Sequence, residues 1–256
     1  SIGIAVIPDD GTDPNVLLRN ADAAMYRAKE QGNRFVFFTD DMNSMAVQRL
    51  MLEQGVRTAL PKNEFQLYYQ PIVDSNGDIV SVEALARWHH EERGVVSPDV
   101  FLPVIDDVGL TAPFGAWVLS TACRDLARLR EKGHAGLRVS VNLSPKQLDD
   151  PELPDLIHKT LVRTGIDGSA LILELTETAL MGNPERTSRK LEAVKRLCPG
   201  VTVAVDDFGT GYSSLAYLIN YPVDKLKIDR SFVMQMHEGD NRRIVQTIID
   251  LARVLD

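Results

Sequence analysis

The sequence has 256 residues, 44% of them apolar, with 36 acidic against 28 basic side chains and a formal charge of −8. That length suits one large domain or two modest ones, and the acidic balance excludes a general electrostatic footprint for DNA or RNA. No apolar run reaches the roughly 18 residues of a membrane span, and the opening SIGIAVIPDD lacks the basic-then-apolar order of a signal peptide.

Residues 2–7 read as a strand and Asp9-Asp10-Gly11 as its turn. Thr12 or Asp13 can cap a helix that starts at Pro14. Val16, Leu17, Ala21, Ala24, Met25 and Ala28 give this helix one apolar stripe through Lys29. Gly32 stops it, and residues 34–38 return as a strand. Two strands and a helix are too few for a core of their own, so residues 1–39 read as the end of a domain. Residues 40–60 hold a linker helix, strongest over 42–60, which Pro61-Lys62-Asn63 breaks. A second domain occupies 61–256. QLYYQPIV and DIVSVEALARW flank the turn Ser75-Asn76-Gly77 as two strands. Helices are then expected at 101–108, 114–129, 153–164, 184–197, 213–219 and 242–255, and strands at 137–141, 171–175, 201–205 and 225–228. Repeated βα units with near-continuous apolar strands mean a parallel sheet covered by helices. An open doubly wound sheet and a closed barrel both satisfy this pattern.

The polar residues favour the barrel. Glu83 ends IVSVE, Asn142 ends RVSVN, Glu174 sits late in LILEL, Asp206 ends VTVAVD and Lys227 sits late in KLKI. In a parallel barrel such positions converge on one face, where barrel enzymes carry their chemistry; an open sheet gathers fewer of them. Three carboxylates and an amide oxygen are hard ligands suited to Mg2+ or Mn2+. A single acid at a strand end is more simply a solvated terminus, but four together are not. Asp207 beside Asp206 adds a fifth donor. Adjacent carboxylates repel unless a cation or proton lies between them, and two ions about 4 Å apart sharing Asp206 would explain the doublet. Residues 208–214 would close over the site, with Gly209 and Gly211 allowing close approach and Thr210, Ser213 and Ser214 holding the loop; Ser213 serves equally as a helix cap. Arg87 can fork onto a phosphate or form an ordinary ion pair. Lys227 can order a water or make a structural ion pair. Glu177 can brace the glycine loop or cap a helix. His89, His90, His134, His158 and His237 offer no competing site. Cys123 and Cys198 have neither metal-ligand spacing nor a disulfide framework, which fits a reducing compartment.

EALARW at 83–88, SVNLS at 140–144, ELTET at 174–178, DDFGTGYSSL at 206–215 and KID at 227–229 together resemble the EAL-domain family, over about residues 45–256. The resemblance implies an α/β fold, a modified TIM barrel with one antiparallel strand. It implies hydrolysis of the bacterial second messenger cyclic di-GMP to linear pGpG with two Mg2+ or Mn2+ ions. Glu83, Asn142, Glu174 and Asp206 would hold one ion, and Asp206 with Asp207 the other. Arg87 would contact phosphate and Leu85 would line the guanine side. Lys227 would assist near the water, Glu177 would brace the loop that starts at Asp207, and Asp229, Gly209, Thr210 and Gly211 would support the site. SIGIA, ADAAMYRAK and QGNRFVFF resemble the last third of a GGDEF domain. That domain's catalytic signature is not in this stretch, so no cyclase activity is assigned. The family pattern continues beyond LARVLD with a strand carrying AEGVE and a later glutamine, so the barrel reads as short of about two strands of eight, and the implied activity as that of a longer parent. The competing readings are a non-catalytic cyclic di-GMP sensor and a barrel enzyme acting on another phosphate compound, such as an enolase-like lyase. The expected setting is the bacterial cytoplasm, with a homodimer through the barrel and room in a longer parent for an upstream sensor or membrane domain.

Overall fold

The computed structural model describes residues 1–30, 32, 34–181, 183–209, 221–237 and 239–255. They fall into two compact units, Ser1–Glu64 with Asp99–Val108, and Phe65–Pro98 with Gly109–Asp256.

In the first unit β1 (Ile2–Ile4) runs parallel to β2 (Phe35–Phe37), with Ile2 opposite Phe35 and Ile4 opposite Phe37. The connection is α1 (Pro14–Glu30). Asp13 caps it, its Oδ1 accepting the N–H of Asn15 at 2.8 Å and of Val16 at 3.3 Å. Ala23 and Ala24 bury against Phe38, with Ala5 and Met42 packed at the margin. β1 is shorter than the expected 2–7 because Asp10 folds back, its Oδ2 accepting the N–H of Val6 at 2.6 Å. The next helix, α2 (Asp40–Ala59), buries Leu52, Val56 and Ala59. α3 (Pro98–Asp107) starts three residues before the expected position, with a proline at its first turn, and buries Phe101, Val104 and Ile105.

The second unit is one mixed sheet. β3 (Phe65–Val73) and β4 (Ile79–His90) form the antiparallel pair. Asp74 Oδ1 ties their turn by accepting the N–H of Asn76 at 2.8 Å and of Asp78 at 3.0 Å. β6 (Arg138–Asn142), β7 (Leu171–Thr176), β8 (Thr202–Phe208) and β9 (Lys225–Ile228) follow in parallel, in the order β3-β4-β6-β7-β8-β9. A short β5 (Gly94–Val96) pairs antiparallel with the end of β4. Helices cover the connections: α4 (Thr111–Glu131) before β6, α5 (Pro145–Asp149) and α6 (Leu153–Thr164) after it, α7 (Glu177–Leu180) and α8 (Pro184–Leu197) after β7, and α9 (Arg230–Met234) and α10 (Gly239–Leu255) after β9.

Alternation sorts each strand into two faces. On β4, Val82, Ala84 and Trp88 bury on the helix side, where Trp88 meets Phe65 at 5.8 Å between ring centroids and Phe65 meets Phe114 of α4 at 5.1 Å. Glu83, Leu85 and Arg87 take the opposite face. β7 is buried through LILEL, the pattern of a strand covered on both sides.

The barrel-type architecture with one main antiparallel strand is as expected. Five short elements were not: β5, α5, α7, α9 and a single 3-10 turn at Gly168–Ala170. Glu83 and Asp206 also need correction, because they lie inside β4 and β8 and not at the strand ends; pairing with β3 and β5 carries β4 on to His90, and pairing with β9 carries β8 on to Phe208. The expected helix 213–219 and the residues Thr210, Gly211, Ser213 and Ser214 lie outside the described residues. Among the described residues no helix is long and apolar enough to cross a membrane.

Candidate metal centre

The sheet register sets the site. Glu83 of β4 stands beside Ser140 of β6, and Asn142 of β6 beside Glu174 of β7. Thr176 of β7 stands beside Asp206 of β8. Between Val205 and Phe208 the β8–β9 register shifts. These strands bring one carboxylate oxygen each of Glu83, Glu174 and Asp206 within 4.8 Å of one another.

Lys227 of β9 reaches into this cluster. Its Nζ donates to Glu174 Oε2, to Asp206 Oδ2 at 2.8 Å and to Glu83 Oε2 at 3.4 Å. Asn142 Nδ2 donates to Glu83 Oε1 at 2.8 Å. Glu174 is only 2% exposed. Burial pushes its carboxyl above the usual value, while the bond and charge of Lys227 pull the other way. For Lys227 burial favours the neutral amine, but hydrogen bonds from its ammonium to Asp206 and Glu174 win and hold it above its ordinary value. One cation thus offsets part of the cluster's negative charge, where burial weighs most on Glu174.

Asp207 is not in the three-carboxylate cluster. Its φ of +53° places it in the left-handed region, and its carboxyl shares a hydrogen bond with Asp229. Burial first, then the negative charges of Asp206 and Asp229, raise its pKa. Asp229 caps α9, accepting the N–H of Ser231 at 2.9 Å. Glu177 is buried at the start of α7, and its Oε2 accepts the N–H of Gly209 at 3.0 Å. Gly209 has φ +103° and sits where an added Cβ would lie 3.0 Å from Phe232. Arg87 is on the same face of β4 as Glu83; its guanidinium lies 5.7 Å over the Tyr68 ring and donates to Ala86 O at 2.8 Å. Leu85 lies directly opposite Tyr68.

One residue escaped the sequence reading. Ser140 is fully buried, and its hydroxyl sits beside the Glu174 carboxylate, which it helps to hold ionised. It faces the same side as Glu83. The signal was present in SVNLS, where Ser140 shares alternation with Asn142.

A match to the EAL domain family covers residues 53–256, four-fifths of the chain. The chain belongs to the EAL domain family. A second match, to the diguanylate cyclase GGDEF domain, covers residues 1–34. A Pseudomonas aeruginosa protein named bifunctional diguanylate cyclase/cyclic di-GMP phosphodiesterase MucR is 42% identical over 259 residues, which take in all of this chain and 38% of that protein. The cyclic di-GMP phosphodiesterase PdeR of Escherichia coli is 37% identical over 258 residues, again all of this chain and 39% of that protein. Among solved structures, the PaMucR phosphodiesterase in complex with c-di-GMP aligns with a TM-score of 0.76 at 40% identity, covering 80% of this chain and 83% of that one. The chain thus spans about two fifths of the length of the curated relatives it matches. In this EAL domain the carboxylate cluster, Lys227 and Asn142 all come from the strands that the family match spans.

Proposed function

We propose that this EAL domain hydrolyses cyclic di-GMP to linear pGpG in a metal-dependent reaction. The observation that carries the reading is the cluster of Glu83, Glu174 and Asp206, set in a chain 42% identical to a named cyclic di-GMP phosphodiesterase.

The donor set fits a hard divalent cation: three carboxylates and an amide, no sulfur and no imidazole. A cationic group, the Lys227 ammonium, already satisfies the same oxygens, so the geometry accepts positive charge. Glu83, Asn142, Glu174 and Asp206 would hold one Mg2+ or Mn2+ ion, and Asp206 with Asp207 a second. When bound, the ions supply Lewis acidity and a water acidified towards neutrality. The chain's own residues do the rest. Arg87, steadied on Tyr68, holds a phosphate oxygen through its planar fork. Leu85 lines the guanine side. Lys227 orders the attacking water and offsets charge that develops on the phosphorane oxygens. Glu177 fixes the loop after Asp207 through Gly209. Asp229 holds Asp207.

By the same reading, residues 1–39 are the closing part of a GGDEF domain, 40–60 a linker helix and 61–256 the EAL barrel. The setting is the bacterial cytoplasm and the assembly a homodimer through the barrel.

Glu83→Ala tests the assignment in the full-length protein. Its thermal melt should stay within a few degrees of wild type, because Glu83 is part-exposed, while pGpG formation should fall at least about a thousandfold, the scale of losing one group that organises transition-state charge. Undiminished turnover in this variant would remove Glu83 from the site.

A further inference from the structure

Five of the six carboxylate oxygens of the cluster are already allotted. Glu83 Oε1 accepts from Asn142 Nδ2 at 2.8 Å, and Asp206 Oδ1 accepts the N–H of Asp207 at 2.9 Å. The other oxygen of each, Glu83 Oε2 and Asp206 Oδ2, goes to Lys227, as does Glu174 Oε2. The Lys227 ammonium therefore sits on one oxygen of each of the three carboxylates that a divalent ion would use. A Mg2+ ion needs oxygens at about 2.0–2.1 Å in near-octahedral array. An ammonium and such an ion cannot share one three-oxygen face at once. The charges lead to the same point. Three carboxylates packed this closely repel, and the most buried of them, Glu174, cannot rely on water to screen it. The fold needs a cation there whether or not a metal is present.

We propose that Lys227 is the resident counter-ion of the metal-free site, and that metal loading is an exchange in which its ammonium gives up the carboxylate oxygens to the incoming ion. This deepens the metal-dependent reading above and rests on it. The exchange changes no protonation state: the ammonium keeps its three protons and moves, and the ion takes its place. Ser140 lies at the place of the rearrangement. Its hydroxyl is buried, in register with Glu83 and beside the Glu174 carboxylate, so a carboxylate that shifts on exchange keeps a hydrogen-bond partner. A lysine that only assists near the water would leave metal affinity untouched or support it. A lysine that is the counter-ion weakens metal affinity and stabilises the empty site.

The experiment measures Mn2+ binding by calorimetry, without nucleotide, for the wild-type protein, Lys227→Met and Lys227→Arg, and records thermal melts of each in chelator and in saturating Mn2+. Lys227→Met should bind Mn2+ about tenfold more tightly, the equivalent of about 1.4 kcal/mol. In chelator it should melt below wild type, and Mn2+ should close that gap. Lys227→Arg keeps the charge and should stay near wild type in both. If Lys227→Met does not fold without metal, it is refolded with Mn2+ and the ion is withdrawn by a graded chelator series; the exchange predicts release at higher chelator concentration than in wild type. Equal or weaker Mn2+ binding by Lys227→Met would overturn the proposal, as would absence of Mn2+ uptake by every variant. Tight Mn2+ uptake here, with no pGpG when the same protein is separately incubated with cyclic di-GMP, would overturn the hydrolase reading instead and leave the exchange standing.

Discussion

Asp207 combines two unfavourable features, a left-handed backbone at φ +53° and a carboxyl crowded by Asp206 and Asp229. Left-handed geometry costs a non-glycine residue about 1 kcal/mol, and such strain concentrates where function holds it in place. Asparagine tolerates that geometry and carries no charge. Asp207→Asn should therefore melt above wild type in chelator while losing pGpG formation; a melt below wild type would show that the carboxyl stabilises the metal-free fold. Cys123 illustrates a different cost. It is fully buried in α4, and burial pushes its thiol from 9.0 up to about 12. The neutral thiol's contribution is complete below pH 9 and is lost as pH rises towards 12. Denaturation midpoints should accordingly fall more steeply above pH 9 for wild type than for Cys123→Ala; parallel curves would refute the assignment. The metal-ligand candidates were legible in the sequence because each stands out against an apolar strand. Their partners were not: that Asn142 bonds Glu83, that Asp207 turns to Asp229 and that Ser140 sits beside Glu174 depend on side-chain direction and register, which strand-end spacing does not encode.

β4 shows how one strand serves core and site together. Its even-numbered face packs Trp88 against Phe65, with Phe114 and Trp117 of α4 around Phe65, and its odd-numbered face carries Glu83, Leu85 and Arg87. Trp88→Ala should cost about 3–5 kcal/mol, the scale for removing a buried aromatic, as read by urea denaturation; a loss under about 1 kcal/mol would mean that this face is not the core. Gly168 tests the entry to β7. A Cβ there would lie 2.3 Å from the backbone oxygen of Pro199, whereas at Gly136 it would meet nothing within 4 Å. Gly168→Ala should be destabilised by about 1–3 kcal/mol from overpacking, and Gly136→Ala should not; equal stabilities would contradict the close approach. The long βα elements were legible from their apolar runs. The short ones depend on local hydrogen bonds that outweigh pattern: α5 rests on the reciprocal Ser144–Gln147 capping box, and α7 on Thr176 accepting the N–H of Ala179 at 3.3 Å. Such elements are too brief to leave a periodicity.

Across the fold, β4 and the parallel strands β6 to β9 gather residues as much as 144 positions apart into one cluster of charge, with Lys227 paired to Glu83 across the sheet. The alternation of apolar strands and amphipathic helices specifies the α/β class; choosing a barrel over an open sheet needed the convergence of polar residues as well. The expected Asp206–Asp207 pairing on two ions is the part least visible in the geometry, because Asp207 is engaged with Asp229. The decisive measurement is the product of cyclic di-GMP incubated with the full-length protein and Mn2+, with and without chelator, resolved by chromatography. The account predicts linear pGpG that disappears when chelator is present. Tight binding of cyclic di-GMP with no pGpG at any Mn2+ concentration would contradict it and make this barrel a sensor of the dinucleotide.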